Sequence, residues 1–112
     1  MLTLGSVLLA EWLVAADLTQ IEFFDRHGMA QSTLSSYLRG VYLPRRPVAR
    51  FFATVSKGKV PTAAWDEIAL AGAMLRHARA MAKIRKRGHE RSGDARRAAA
   101  PKVVAKRRAR AA

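Results

Sequence analysis

The pattern of apolar and polar residues along the chain predicts helices and no strands. Apolar side chains recur at helical spacing near the start, at Val7, Leu8, Leu9, Trp12, Leu13 and Ala16. Thr3 and Ser6 are the two candidates for the N-cap of this first helix, and Asp17-Leu18 ends it. No stretch alternates apolar and polar residues with a period of two. The expected fold class is therefore all-α.

The second and third predicted helices are separated by a glycine. Thr19-Gln20-Ile21-Glu22 has the form of a capping box, in which the Thr hydroxyl and the Glu carboxylate satisfy each other's backbone amides. The helix that begins there should end near His27, because Gly28 accommodates the positive φ of a tight turn. A third helix is predicted over roughly 31–39. Ala30 offers it no side-chain cap, and Gly40 closes it.

Two further helices complete the predicted organisation. Pro47 is suited to be the first residue of a fourth helix. Thr62 is the candidate cap of a fifth, Ala-rich helix from about Ala63 to Arg87. The apolar stripe assigned to this fifth helix consists of Ala64, Ile68, Ala71, Leu75, Ala78 and Ala82. We therefore expect one folded unit over residues 1–60, a helix over 61–87 and a separate tail over 88–112.

The tail differs from the rest in composition and charge. Residues 88–112 contain few large apolar side chains, mainly Val103 and Val104, so burial cannot offset the entropy lost on ordering. We expect this segment to be disordered when free. Residues 1–60 carry a net charge of +3, whereas residues 61–112 carry +10. Such an asymmetric basic charge indicates a polyanionic partner, usually nucleic acid and sometimes an anionic membrane.

Other classes of protein are disfavoured. The chain has no Cys, which excludes disulfides, thiolate metal sites and Cys nucleophiles and fits a cytoplasmic protein. His27, His77 and His89 are far apart in sequence and lack matched acidic partners, so we expect no metal and no cofactor. No nucleophile, acid pair or phosphate-binding loop indicates an enzyme. The first residues lack a basic signal-peptide region, and Glu11 interrupts their apolar run, so no membrane association is expected.

The segment Thr19–Gly40 carries the most specific signal. Its second half, "AQSTLSSYL", contains no charged residue although the chain carries 21 Lys and Arg. Two short helices joined at Gly28, with Phe23, Met29, Leu34 and Tyr37 as apolar positions, match the pattern of a helix-turn-helix. The segment resembles the DNA-binding unit of the lambda repressor and Cro family, also called the Xre family. The resemblance covers roughly residues 4–66 and includes Arg46-Pro47 ahead of the fourth helix.

This resemblance implies a compact four- to five-helix Cro/repressor-like helix-turn-helix domain followed by a disordered basic tail. In the family the second helix of the motif enters the major groove, where base edges present neutral donors and acceptors. Neutral side chains at the surface of that helix can therefore discriminate bases, while cations elsewhere supply affinity. The resemblance implies base contacts from Gln31, Ser32, Thr33, Ser35 and Ser36. It implies contacts with the DNA backbone from Thr19, Gln20, Arg39, Tyr42, Arg45 and Arg46.

The resemblance also implies that Gln20 braces Gln31 as well as contacting a phosphate. One position departs from the family pattern. The family usually has a small residue at the place of Phe24, where the two helices approach most closely. A Phe there must turn outward or widen the angle between the helices.

The leading hypothesis is a sequence-specific regulator of transcription, of phage or prophage type, that binds double-stranded DNA as a homodimer. The fifth helix is the expected dimerisation element. The alternative is a non-specific, nucleoid-associated architectural protein, because "AAAPKVVAKRRARAA" resembles the tails of linker-histone-like proteins. A helix-turn-helix adaptor that contacts a protein such as RNA polymerase and an RNA-binding protein are two further alternatives.

Overall fold

The fold was analysed in a computed structural model that describes residues 2–111, with side chains described for residues 2–91. Within this range all regular elements are helical, as predicted, and they pack around one core. The α-helices are α1 (Leu4–Ala15), α2 (Gln20–His27), α3 (Gln31–Leu38), α4 (Arg46–Val55) and α5 (Ala71–Ala111), and a 3-10 helix (Thr62–Asp66) precedes α5.

Helix α1 is the central element of the core. Of the two candidate N-caps, Thr3 is the one observed. Its hydroxyl accepts a hydrogen bond from the amide of Ser6 at 3.4 Å. Val7, Leu9 and Leu13 are completely buried. Helix α1 packs against α5, the 3-10 helix and α3, so most of the other elements are positioned by it.

The predicted local chemistry of α2 and α3 is confirmed. The Thr19 hydroxyl accepts from the amide of Glu22 at 3.2 Å, and the Glu22 carboxylate accepts from the amide of Thr19 at 3.1 Å. Gly28 has φ 76° and ends α2, and Gly40 has φ 74° directly after the C-cap of α3. Ala30 makes no side-chain cap bond, as expected.

The observed start of α4 lies within one residue of the start predicted from the sequence. The helix begins at Arg46, so Pro47 occupies its second position and not its first. A proline is tolerated there because the amides of the first turn have no partner within the helix.

The prediction of a continuous fifth helix from Ala63 to Arg87 is wrong. The chain forms the 3-10 helix, becomes extended at Glu67 and enters α5 only at Ala71. The amide of Leu4 donates to the Glu67 carbonyl at 2.8 Å, and the amide of Ala69 donates to the Leu2 carbonyl at 3.0 Å. This short antiparallel pairing with the start of the chain uses backbone groups that a helix would need for itself.

The predicted apolar stripe of the fifth helix is also wrong as a core-facing stripe. Ile68 and Leu75 are 62% and 54% exposed, whereas Ala80 and Ile84 are buried. Because the break at residues 67–70 sets a new register, α5 turns a different face inward. Residues of α5 join the same core as α1 and α4, so the region after residue 60 completes the globule.

The predicted tail, residues 88–112, begins inside α5. Helix α5 continues through residues 88–91, and Arg91 pairs with Asp17 at 2.7 Å and with Glu22. The side chains of residues 92–112 lie outside the described residues, and the disorder expected of this segment when it is free stays a prediction.

Among the described residues, no individual helix is long and apolar enough to cross a membrane. Helices α1 and α2 taken together pass that test on length and composition alone, although the chain bends by 88° between them.

Candidate nucleic-acid interface

Helix α3 presents its polar side chains outward because its apolar ones are anchored in the core. Leu34 and Leu38 are completely buried. Gln31, Ser32 and Thr33 are exposed, and Ser35 and Ser36 are half-buried. All five residues predicted to contact bases therefore lie on accessible parts of the helix. The outer surface of α3 is free of charge as far as Leu38.

The side chains of α3 are divided between two clefts. One cleft, of about 650 Å³, lies between α2, α3 and α5; we call it the α2–α3–α5 cleft. Gln31 and Ser35, four residues apart, line it together with Gln20 and Arg39. Thr19 also lines this cleft, so the structure brings together two predicted base contacts and three predicted backbone contacts.

The second cleft, of about 450 Å³, lies between α3 and the loop that leads to α4; we call it the α3–α4 cleft. Ser32, Thr33 and Ser36 line it from the helix, and Tyr42 and Arg45 line it from the loop. Tyr42 is 65% exposed, and Arg46 is exposed at the start of α4. The remaining predicted contacts are therefore grouped on this side of α3, with Arg46 next to them in sequence.

Several of the predicted polar contacts have partners inside the protein. Thr19 is only 5% exposed, and its hydroxyl serves the capping box, so its role here is to position α2. The Ser36 hydroxyl donates to the Ser32 carbonyl at 2.9 Å and keeps its lone pairs for an incoming donor. The expected brace is not made directly: within the described part of the chain, no hydrogen bond joins Gln20 to Gln31, although both line the same cleft.

The carbonyl end of α3 is held by two side chains from other helices. The Ser6 hydroxyl of α1 donates to the Tyr37 carbonyl at 2.6 Å, and Ser6 itself is buried. His77 of α5 places Nε2 2.6 Å from the Leu38 carbonyl oxygen, which can only accept, so Nε2 carries the proton. These bonds satisfy carbonyls of the last turn and fix the direction of α3. Sequence reasoning missed both roles, since neither residue is near α3 in the chain.

The cations around α3 differ from those that hold α5. Arg76, Arg87 and Arg91 form ion pairs with acids of α1, α2 and the segment between them. Hydrogen bonding to Glu11 raises the pKa of Arg76, and hydrogen bonding to Glu22 raises that of Arg91. By contrast, no acid of the described residues pairs with Arg39, Arg45 or Arg46.

Glu22 combines two structural duties. Its partial burial tends to raise its pKa, but hydrogen bonds from Thr19 and Arg91 outweigh this effect, so the pKa lies below its ordinary value. The carboxylate is therefore ionised at neutral pH, where it caps α2 and anchors α5 at once.

The unusual aromatic residue of α2 turns outward. Phe24 is 44% exposed, while Phe23 beside it is completely buried. The sequence left two outcomes for a bulky residue at this place: an outward side chain or a wider angle between the helices. The structure has the outward side chain.

Among the described residues, no group of three or more His, Asp or Glu side chains is arranged to hold a metal ion. Comparisons of the chain with models of protein families, with curated proteins and with solved structures give no match.

Proposed function

We propose that the protein is a sequence-specific regulator of transcription that binds double-stranded DNA and reads the major groove with α3. In this proposal α2 and α3 act as a helix-turn-helix, with Gly28 in the turn. The single observation that carries the proposal is the surface of α3: exposed Gln, Ser and Thr side chains without charge, bordered by arginines that have no acidic partner among the described residues.

The division of chemistry on this surface supports reading of bases more than general attraction to DNA. Gln31 can form two hydrogen bonds with an adenine edge, and the hydroxyls can donate or accept. Arg39, Arg45 and Arg46 lie beyond the uncharged segment and suit phosphates. The hydrogen bonds from Ser6 and His77 would keep α3 in a fixed direction, which base reading requires.

Selection of bound sequences from a random duplex library at roughly 150 mM salt tests this proposal, because weak non-specific binding is reduced at that salt concentration. A consensus sequence, palindromic if the protein binds as a dimer, is the expected result. Tight binding without enrichment of any sequence would contradict it.

We further propose a homodimer formed through the start of α5. Ile68, Leu70, Met74 and Leu75 are all more than half exposed, and large apolar side chains grouped on a surface favour association. The sequence assigned Ile68 and Leu75 to a stripe that faces the core. In the structure both side chains are exposed. A dimer would place two copies of α3 on two half-sites and so lengthen the sequence read.

A non-specific architectural protein is the second candidate. The observation that favours it is the charge of residues 61–112, which exceeds that of residues 1–60 by seven units. Such a protein would bind all duplexes with similar affinity and with a steep dependence on salt. The selection experiment separates the two candidates.

A further inference from the structure

The α2–α3–α5 cleft contains an arginine and a histidine of α5 that the proposed reading surface does not include. Its third wall is formed by α5, where Arg85 and His89 lie four residues apart and therefore on the same side of the helix. Both residues are exposed, and both line the cleft opposite Gln31, Ser35 and Arg39. Helix α5 thus passes beside the same face of α3 from which two predicted base contacts project.

The charge in this cleft is not neutralised by the protein itself. Glu22 is an acidic residue of the lining, and it is engaged by Arg91 and by the amide of Thr19. Within the described part of the chain, Arg39 and Arg85 form no ion pair. Two guanidinium groups therefore lie on facing walls of the cleft, beside the apolar side chains of Ile21, Met81 and Ile84, with no anion of the protein assigned to them.

Gly88 keeps the α5 wall open between these residues. A Cβ atom added there would meet no other group within 4 Å, so the space beside it is free. Gly88 lies inside a helix, where glycine is less favourable than alanine. A larger residue would therefore be tolerated by the fold while it occupied the cleft.

We propose that the α2–α3–α5 cleft binds a backbone phosphate of DNA, with Arg39 and Arg85 as its cationic ligands. Gln20 and His89 supply further hydrogen-bond donors. The chemistry of the ligand follows from these side chains, because guanidinium groups and neutral donors suit the oxygens of a phosphodiester. This inference rests on the proposed function, and it makes α5 a direct part of the DNA-binding surface.

The test compares Arg85→Ala with Arg79→Ala in the full chain. Both substitutions remove one exposed positive charge from α5, but Arg79 does not line the cleft and lies about 120° around the helix from Arg85. Affinity for a duplex of random sequence is measured over a series of salt concentrations. Arg85→Ala should lower the slope of log affinity against log salt by about 0.9, as expected for one lost phosphate contact, and Arg79→Ala should leave it nearly unchanged.

A second variant, Gly88→Glu, places a carboxylate in the cleft. It should weaken binding to every duplex at least as much as Arg85→Ala, because it repels the phosphate in addition to blocking it. Unchanged thermal unfolding of all three variants would show that the fold is intact.

Equal effects of Arg85→Ala and Arg79→Ala would overturn the phosphate site, since net charge alone would then explain the loss. No effect of either substitution, or normal binding by Gly88→Glu, would overturn it as well. If the unmodified protein binds DNA without sequence preference, the proposed regulator fails while the contrast between the two arginines still decides the phosphate site. Absence of any DNA binding by the unmodified protein would overturn both.

Discussion

His77 of α5 donates a hydrogen bond from Nε2 to the carbonyl oxygen of Leu38, the last residue of α3, over 2.6 Å. The donor and acceptor are 39 residues apart in the chain. Together with the bond from Ser6 to Tyr37, it ties the carbonyl end of α3 to both α1 and α5. The helix that we propose to read bases is therefore held at its inner end, and its polar amino-terminal half is left to project.

The bond from Ser6 should contribute measurably to stability. Ser6→Ala removes a buried donor and leaves the Tyr37 carbonyl without that partner, which should lower the free energy of unfolding by about 1–3 kcal/mol. Urea denaturation measures the change. Ser36→Ala is the matched control, because its hydroxyl donates within α3 at the surface, and it should change stability by less than half as much. Equal effects of the two substitutions would show that the bond between helices adds nothing.

Gly5 packs directly against the ring of Trp65, which leaves no room for a side chain. A Cβ atom at this position would lie 2.2 Å from Cδ2 of Trp65, whose side chain is buried. Gly5→Ala should therefore destabilise the fold by about 1–3 kcal/mol despite the better helix propensity of alanine. Gly72→Ala, in α5 with no other group within 4 Å of the added atom, should instead be neutral or stabilising. Thermal unfolding of both variants measures the difference. A Gly5→Ala protein as stable as the unmodified protein would refute this account of the packing.

Acidification should destabilise the fold through His27. Burial, assisted by the charge of Arg26, lowers the pKa of His27 in the folded state, and its ring packs 4.6 Å from that of Phe23. The unfolded chain therefore binds a proton more readily, so stability is fully present above the ordinary pKa of about 6.5 and falls as pH decreases through it. Urea denaturation from neutral to mildly acidic pH should show this loss.

Substitution of His27 itself tests this assignment. His27→Gln should flatten the dependence of stability on pH. Glu22 does not interfere in this range, because its lowered pKa keeps it ionised until the pH falls well below that of histidine titration. An undiminished slope in His27→Gln would assign the effect elsewhere.

Different substitutions should impair base reading and phosphate binding separately. Gln31→Ala removes no charge, so it should reduce discrimination at one base pair per half-site by about 1–3 kcal/mol and leave non-specific binding almost unchanged. Arg45→Ala should weaken binding to all sequences about equally and reduce the salt slope by close to one unit. Binding to matched and mismatched duplexes measures both. If Gln31→Ala weakens all duplexes alike, or has no effect, α3 does not read bases and contact with a protein becomes the better account.

Association should depend on the apolar face at the start of α5. Leu75→Asp places a charge next to the exposed Met74 and a few residues after the exposed Ile68 and Leu70, and should shift a dimer towards monomer without loss of fold. Thr54→Asp adds the same charge at an exposed position of α4 and should not change the oligomeric state. Sedimentation velocity over a range of concentrations distinguishes them. A monomer at every concentration in the unmodified protein would remove the dimer proposal.

The sequence alone determined those parts of the fold that depend on neighbours within a few residues. The capping box needs only Thr19 and Glu22, and the turn after α2 needs only a residue that accepts positive φ at Gly28. The start of α4 was predicted to within one residue for the same reason, since Pro47 acts through its own ring. The polar character of α3 was equally evident, because it follows from composition.

Tertiary structure decided the features that join residues distant in the chain. The break between the 3-10 helix and α5 could not be predicted, because the backbone of Glu67–Ala69 pairs with Leu2–Leu4, more than sixty residues earlier. In α5, which follows this break, Ile84 is buried while Leu75 is exposed. The same packing directs His77 to α3 and places Arg85 in the same cleft as Gln31. A helical pattern in sequence specifies which side chains share a face, but only the packing of the other helices selects the face that turns inward.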